Sequence, residues 1–237
     1  MGNGSEFNQV MSLLADRFYC LALDLPGHGK TQTEGDRAYS MESTARGIIR
    51  FLDESGISSC ALVGYSMGGR LALYLALHFS NYFSKVVLES ASPGLKTQAE
   101  RNQRIQKDLA LAKRLETEDF SAFLAAWYRQ PLFASLQAHP QFEQMLTHRL
   151  CNDPFKLATS LRYLGTGQQP SLWNTLRLNS VPILLLAGAL DQKFVDINIE
   201  MSACHPLITL NIADRCGHNI HFENAAWYAQ TIQSFLS

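Results

Sequence analysis

Short apolar runs alternate along the chain with longer stretches in which apolar residues recur every three or four positions. The short runs are Phe18–Asp24, Cys60–Val63, Lys85–Glu89, Pro182–Ala187 and Leu207–Ile212. Runs of this length, apolar on both faces, are typical of parallel strands that helices cover on both sides. The longer stretches predict helices, such as one capped by Ser40 and one at Ala225–Leu236. This repeated strand-helix pattern predicts a mostly parallel, doubly wound α/β sheet.

One long segment interrupts the alternation. From Thr97 to Gly165 almost every apolar residue keeps helical spacing, and Gln130-Pro131 and Asp153-Pro154 indicate turns within it. We predict a helical cap at about residues 96–170, inserted into one domain that spans residues 1–237. A chain of 237 residues is long enough for one such core, and no linker rich in Pro, Gly or Ser divides it.

Composition excludes several classes of protein. Lys and Arg number 20 against 21 Asp and Glu, and no basic run occurs, which argues against nucleic-acid binding. The most apolar stretch, Val181–Leu190, is about half of what a membrane-spanning helix needs. The first seven residues lack the features of a secretory signal. Five cysteines without a Cys-x-x-Cys pair indicate neither a disulfide framework nor a zinc site, which favours the cytoplasm.

The main candidate for chemistry is Gly64-x-Ser66-x-Gly68, which follows a predicted strand and precedes a predicted helix. Small neighbours allow a sharp turn there, and such a turn exposes the serine hydroxyl. The alternative is an ordinary surface turn. If Ser66 is a nucleophile or a base, the backbone N–H of Met67 is expected to supply half of an oxyanion hole.

A serine hydroxyl reacts poorly unless an imidazole takes its proton and a carboxylate orients that imidazole. Asp191 follows the strand Ile183–Ala187, and His218 follows the strand that ends at Ile212. Both therefore lie at the carboxyl ends of strands, where open α/β sheets place their sites. The order serine, acid, histidine is the order of α/β-hydrolases.

Three other residues compete for these roles. His221 lies three residues after His218, but the Gly-His sequence directly after the last strand favours His218. Asp214 precedes the histidine too closely to be the usual acid. Asp196 is better suited to begin a helix, where a carboxylate interacts favourably with the helix dipole.

Several motifs extend this pattern over nearly the whole chain. They are Leu25–Gly29, Gly64–Arg70, Ser92–Leu95 with Arg101 and Arg104, Trp127–Phe133, Asp191–Phe194 and Gly217–Asn219. Together they resemble the 2-succinyl-6-hydroxy-2,4-cyclohexadiene-1-carboxylate synthases, lyases of menaquinone or phylloquinone biosynthesis in the α/β-hydrolase superfamily. Pro-Gly-His-Gly and Gly-x-Ser-x-Gly are common to the superfamily. The arginine pair, Trp-Tyr-x-Gln-Pro-x-Phe and Asp-x-Lys-Phe are more particular.

The resemblance implies a reaction that needs neither cofactor nor metal. Serine, activated by histidine, would remove a proton from 2-succinyl-5-enolpyruvyl-6-hydroxy-3-cyclohexene-1-carboxylate, which would then expel pyruvate. A small-molecule substrate with three carboxylates requires fixed cations near the serine. The candidates are Arg70, Arg101, Arg104 and Lys193. For each of them the alternative is an ordinary solvated charge.

Aromatic residues could complete the substrate site. Trp127, Tyr128 and Phe133 are predicted to form a lid over the substrate ring, although aromatic residues at helical spacing are more often part of a core. Tyr65 could donate a hydrogen bond to substrate or simply pack. Two other functions remain open: a serine hydrolase of a small acidic ester or carbon-carbon bond, and an inactive fragment that keeps the fold. A monomer is favoured.

The resemblance also carries an expectation about the start of the chain. Met1–Phe7 resembles the segment just after a His-Gly-Phe loop in the family. We therefore expect the first strands of the fold to be missing and the true start to lie roughly 20 residues upstream. A strand would then be absent between Phe18–Asp24 and Cys60–Val63, and each backbone group orphaned there would cost about 1–3 kcal/mol.

Overall fold

Four parallel strands form the centre of the structure, a computed structural model that describes residues 1–237. They are β1 (Cys60–Tyr65), β2 (Phe83–Glu89), β3 (Ile183–Gly188) and β4 (Ile208–Ala213), hydrogen-bonded in that order. Each pair is parallel, with Val86 opposite Ile183 and Ile183 opposite Ile208. The prediction of a parallel α/β sheet is therefore confirmed, and each of these four strands lies within two residues of its predicted bounds.

Helices account for most of the remaining chain. The α-helices are α1 (Asn8–Leu14), α2 (Met41–Glu54), α3 (Met67–His78), α4 (Gln98–Thr117), α5 (Phe120–Tyr128), α6 (Ala134–Gln137), α7 (Phe142–Arg149), α8 (Pro154–Leu164), α9 (Trp173–Leu176), α10 (Gln192–Ser202), α11 (Ile220–Glu223) and α12 (Ala225–Leu236). Short 3-10 helices occupy Gly4–Phe7, Asp36–Tyr39, Ser80–Tyr82 and Pro131–Phe133. No helix is long and apolar enough to span a membrane.

The two faces of the sheet belong to two separate apolar clusters. Side chains alternate across a strand, so Leu88 and Leu185 face the cluster that contains α2 and α3. Leu184 and Leu186 face the opposite cluster, which contains α1 and α12 and also the buried thiol of Cys216. Ser40 caps α2 as predicted, because its side chain accepts a hydrogen bond from the Ser43 backbone N–H. Helices on both faces make the sheet doubly wound, as predicted.

The predicted strand Phe18–Asp24 is wrong. This segment has no regular structure, and Tyr19, Leu21 and Leu23 are 90, 48 and 41% exposed. A strand requires a hydrogen-bonded neighbour, which an apolar run cannot supply by itself. Here β1 is an edge of the sheet and pairs only with β2.

Two smaller predictions also need correction. The helix expected after Asp196 begins earlier, at Gln192, so Asp196 lies in its second turn and Asp191 occupies the cap position. Asp153-Pro154 is a helix start rather than a simple turn, since Asp153 accepts backbone hydrogen bonds and Pro154 is the first residue of α8.

The residues predicted to form a cap fold into helices between β2 and β3. α4 starts with a capping box in which Thr97 and Glu100 exchange hydrogen bonds, and it packs along α8. Ala112, Leu115 and Ala158 are buried between these two helices. The helices lie above the carboxyl ends of the strands, because Phe133 reaches His218, which follows β4.

Candidate active site

Ser66 lies at a sharp turn between β1 and α3. Its φ of 48° and ψ of −106° are unusual for a residue with a side chain, and strained residues of this kind are enriched at functional sites. Two hydrogen bonds fix the turn. The Ser66 N–H donates to the Glu89 carbonyl oxygen at 2.8 Å, and the Arg70 N–H donates to the Ser66 carbonyl oxygen at 2.9 Å.

Glycines allow β1 and α3 to approach at this turn. A Cβ at Gly64 would lie 2.5 Å from the Gly68 carbonyl oxygen, and one at Gly69 would lie 2.6 Å from the Cβ of Ala91. A Cβ at Gly68 would meet nothing within 4 Å. The close approach therefore depends on Gly64 and Gly69, whereas the motif had pointed to Gly64 and Gly68.

Three predicted side chains form one hydrogen-bonded row. The Ser66 Oγ lies 3.1 Å from His218 Nε2, and His218 Nδ1 lies 2.7 Å from Asp191 Oδ2. Asp191 and His218 are both buried. In this arrangement the hydroxyl donates to one ring nitrogen while the carboxylate accepts from the other, so the imidazole is held in the tautomer that can take the serine proton.

The competing residues lie elsewhere. The His221 Nδ1 faces the Glu89 carboxylate at 2.8 Å and does not reach Ser66. Asp196 accepts a hydrogen bond from Gln192 on the surface of α10, and Asp214 is exposed. The geometry thus favours His218 and Asp191, as the sequence did.

Three aromatic rings surround the His218 imidazole. The ring centroids of Phe194, Tyr65 and Phe133 lie 4.8, 5.4 and 6.1 Å from it. Tyr65 and Phe133 were predicted as site residues, and Phe194 was missed although Asp-x-Lys-Phe contains it. The Tyr65 hydroxyl donates to Asn219 Oδ1 at 2.6 Å, and burial raises the pKa of Tyr65 well above its usual value.

The remaining predicted lid residues belong to the packing of the cap. Tyr128 is only 1% exposed, and its ring centroid lies 4.9 Å from that of Phe133. Tyr128 is therefore a core residue of the cap and not part of a lid. Trp127 is half-buried and stacks on Phe123 at 6.2 Å. Of the predicted lid, only Phe133 contacts the hydrogen-bonded row.

Two of the predicted cations cluster between α3 and the cap. Arg70 is buried and donates to the Leu164 carbonyl oxygen at 3.0 Å and to Gln169 Oε1 at 3.2 Å. The Arg104 Nε donates to the buried Asp108 carboxylate at 2.7 Å. Burial, and secondarily the charge of Arg104, lowers the pKa of Arg70 to about 10, so it remains charged at neutral pH. Two guanidiniums near one carboxylate leave a net positive charge.

The other two predicted cations lie nearer the surface. Arg101 donates to Gln98 on the first turns of α4. Lys193 is exposed, and its ammonium lies 5.6 Å from the centroid of the Phe194 ring. The structure therefore does not bring Arg101 and Lys193 into the buried cluster. It places Lys193 beside a ring that contacts His218.

Sequence reasoning missed one buried cation, Arg149 in α7. It is 3% exposed, forms a two-pronged ion pair with Glu6 at 2.8 and 2.9 Å, and lies 5.0 Å over the Tyr128 ring. Its partner is 143 residues away along the chain, and no local motif contains both. The fold also contains no group of three or more His, Cys, Asp or Glu that could hold a metal ion.

The hydrogen bond between Tyr65 and Asn219 makes a testable contribution to stability. Tyr65→Phe removes the donor and leaves the Asn219 side chain, which is fully buried, without its partner. We expect a loss of about 1–3 kcal/mol in the free energy of unfolding, measured with urea. The control is Tyr82→Phe, because the Tyr82 hydroxyl donates to exposed Asp53 and should matter little. Equal effects of the two substitutions would contradict this prediction.

The chain is similar to known proteins over most of its length. The alpha/beta hydrolase fold family matches residues 1–225. A putative 2-succinyl-6-hydroxy-2,4-cyclohexadiene-1-carboxylate synthase of Bacillus subtilis (strain 168) is 36% identical over 220 residues, which cover 92% of this chain and 80% of that protein. The synthase of the same name from Pectobacterium atrosepticum is 34% identical over 240 residues, covering 100% and 90% of the two chains.

A solved structure gives the same result. The structure of MenH from S. aureus superposes with a TM-score of 0.95 at 35% sequence identity, and the match covers 99% of this chain and 89% of that one. The superposition therefore includes nearly the whole chain, from the sheet to the helices between β2 and β3.

Proposed function

Because the chain belongs to the family of 2-succinyl-6-hydroxy-2,4-cyclohexadiene-1-carboxylate synthases, which have the alpha/beta hydrolase fold, we propose that Ser66, His218 and Asp191 perform this family's reaction. The protein is an enzyme, a lyase of menaquinone or phylloquinone biosynthesis. The single observation that supports the catalytic assignment is the hydrogen-bonded row from Ser66 Oγ through His218 to Asp191.

The names of substrate and product define the bonds that change. The substrate, 2-succinyl-5-enolpyruvyl-6-hydroxy-3-cyclohexene-1-carboxylate, has one ring double bond between C3 and C4. The product is a 2,4-diene without the enolpyruvyl group. C2 therefore loses a proton, double bonds form at C2–C3 and C4–C5, and the C5–O bond breaks. The leaving enolpyruvate takes up a proton and becomes pyruvate.

The row provides a base for the first step. The C2 hydrogen is adjacent to the succinyl ketone, so its removal produces an enolate rather than a localised carbanion. The Ser66 oxygen accepts that proton while its own proton passes to His218 Nε2, and the buried Asp191 stabilises the resulting imidazolium. No acyl-enzyme is needed, because the electron pair released at C2 expels the C5 oxygen.

Developing charge on the ketone oxygen requires hydrogen-bond donors. Met67 is the first residue of α3, where a backbone N–H has no partner within the helix and the helix dipole favours negative charge. Its N–H is therefore suited to the enolate oxygen, in the role of an oxyanion-hole donor. Donors fixed in this way act mainly on the transition state, in which the negative charge develops.

The substrate's three carboxylates need cations that are already in place. Arg70 follows Ser66 by one turn of α3, and Arg104 lies beside it with a net positive charge shared over the pair. A fixed guanidinium binds a carboxylate with short, charge-assisted hydrogen bonds. We assign Arg70 and Arg104 to one substrate carboxylate, and Arg101 and Lys193 to the other two.

A coupled assay tests the function directly. Purified protein is mixed with the enolpyruvyl substrate, and lactate dehydrogenase with NADH reports the pyruvate released. The expected result is rapid pyruvate release together with negligible hydrolysis of p-nitrophenyl acetate. Brisk ester hydrolysis with no pyruvate release would instead support the serine hydrolase, and a folded protein inactive in both assays would support the inactive fragment.

Removing Arg101 or Lys193 should weaken catalysis without unfolding the protein. Arg101→Ala and Lys193→Ala are each expected to lower kcat/KM by about 10- to 150-fold, the range for a charge-assisted hydrogen bond to substrate. Thermal unfolding should be unchanged, since both side chains lie near the surface. Lys113→Ala, an exposed change on the same helix as Arg101, is the matched control. Wild-type kinetics in both variants would return these residues to the role of ordinary surface charges.

A further inference from the structure

A second buried carboxylate–imidazole pair lies next to the catalytic row and takes no part in the proposed reaction. The carboxylate of Glu89 and the imidazole of His221 are both 0% exposed, and His221 Nδ1 lies 2.8 Å from Glu89 Oε2. We propose that Glu89 and His221 are positioning residues that hold His218 at its distance from Ser66. The inference rests on the proposed function in taking Ser66 and His218 as the reacting pair.

Glu89 is bonded to both sides of the reacting pair. As the last residue of β2, it accepts the Ser66 backbone N–H on its carbonyl oxygen at 2.8 Å. Its carboxylate accepts the His221 backbone N–H at 3.1 Å as well as the ring N–H. One residue in the centre of the sheet therefore fixes the serine turn and the segment that carries the base.

Further contacts hold the segment from His218 to His221 in place. Asn219 accepts the Tyr65 hydroxyl at 2.6 Å, and Tyr65 itself precedes Ser66. The His221 ring lies between two aromatic rings, stacked on Phe7 at 4.4 Å and tilted against Tyr65 at 4.7 Å. Rotation of His221 would break these contacts and would carry His218, three residues earlier, away from Ser66.

Burying Glu89 and His221 costs free energy. Two ionisable groups removed from water carry a desolvation cost, and apolar side chains of similar volume are often as stable or more stable in such places. In addition, His221 Nε2 has no hydrogen-bond partner. What an apolar pair would lack is direction, because hydrogen bonds fix distances and angles whereas apolar contacts permit sliding. A gain in the placement of His218 accounts for this cost.

Replacing the pair by apolar residues separates placement from stability. In the double variant Glu89→Leu/His221→Phe, we expect an equal or higher Tm and a kcat about 100-fold lower at unchanged KM, the loss typical of a displacement of about 1 Å at a reacting centre. A merely structural pair would instead leave kcat unchanged in every variant that stays folded.

Conservative variants give a second readout. Glu89→Gln keeps an oxygen acceptor, and His221→Asn keeps a donor near the position of Nδ1. Each should retain most of the kcat that Glu89→Leu and His221→Leu lose. Ser160→Ala is the control, because it removes a buried hydroxyl in α8 that has no hydrogen-bond partner and belongs to neither member of the pair. Its kcat should equal that of the wild type.

A crystal structure of the apolar double variant makes the test independent of the reaction. The expected result is a lengthening of the distance from His218 Nε2 to Ser66 Oγ beyond hydrogen-bond range, from 3.1 Å in the native protein. An unchanged distance would overturn the positioning role whatever the activity. Failure of the wild-type protein to release pyruvate would overturn the proposed function and leave this distance to decide the role of the pair.

Discussion

Replacing Ser66 by alanine is expected to lower kcat/KM for pyruvate release by about a thousandfold or more. The substitution removes the oxygen that receives the C2 proton, and general-base catalysis of this kind contributes about 10²- to 10⁴-fold. His218→Ala should cause a similar loss, since the row transfers the proton as one unit. The double variant should therefore be little worse than either single variant. Pyruvate release at saturating substrate measures kcat, and release at subsaturating substrate measures kcat/KM.

Ser90→Ala is the matched control for this experiment. Ser90 has the same φ of 48° as Ser66, follows the neighbouring strand, and has a buried hydroxyl without a hydrogen-bond partner. Its replacement should leave kcat within about twofold of the wild type, because surrounding contacts and not the hydroxyl hold the turn. If Ser66→Ala kept a tenth of the wild-type activity while folded, Ser66 would not be the base.

Gly188→Ala is expected to lower both stability and activity strongly, although it touches no reacting atom. A Cβ at Gly188, the last residue of β3, would lie 2.1 Å from the Gly217 carbonyl oxygen and 2.3 Å from that of Cys216. Both contacts are with backbone, so relief requires the strand and the loop before His218 to separate by about 1 Å. We expect a loss of about 3 kcal/mol or more in unfolding free energy and about 100-fold or more in kcat.

Urea unfolding and the pyruvate assay measure these two effects. Gly47→Ala is the control, since a Cβ there would meet nothing within 4 Å in the middle of α2. That substitution should raise stability by about 0.5–1 kcal/mol through its helix propensity. A Gly188→Ala protein as stable and active as the wild type would show that the loop before His218 tolerates displacement.

Much of the site could be predicted because its residues lie at the ends of strands. Short apolar runs predict strands β1 to β4, and in a parallel sheet the carboxyl ends of the strands meet at one edge. Ser66, Asp191 and His218 each follow such a run, so their proximity follows from topology alone. The order of the elements was therefore sufficient, and no side-chain geometry was required.

Other features depend on partners that lie far apart in sequence. Glu89 and His221 are 132 residues apart, and nothing local distinguishes either from a surface residue. The same is true of Arg149 and Glu6. The prediction of a strand at Phe18–Asp24 is wrong for a related reason. Its apolar pattern is typical of a strand, but a strand forms only where another strand lies beside it to accept its hydrogen bonds. Clash at Gly188 likewise depends on the approach of two distant backbone segments.

The burial of Cys216, two residues before His218, has a chemical consequence. Burial, and then the acidic charges of Glu223 and Glu89, raises the pKa of this thiol to about 11. Only about one molecule in a thousand then carries the thiolate at pH 8, and alkylating reagents attack the thiolate. Iodoacetamide should therefore modify Cys216 only during rare openings of the loop that carries His218, while exposed Cys151 reacts freely. The rate of alkylation at Cys216 therefore reports the opening of the loop that carries His218.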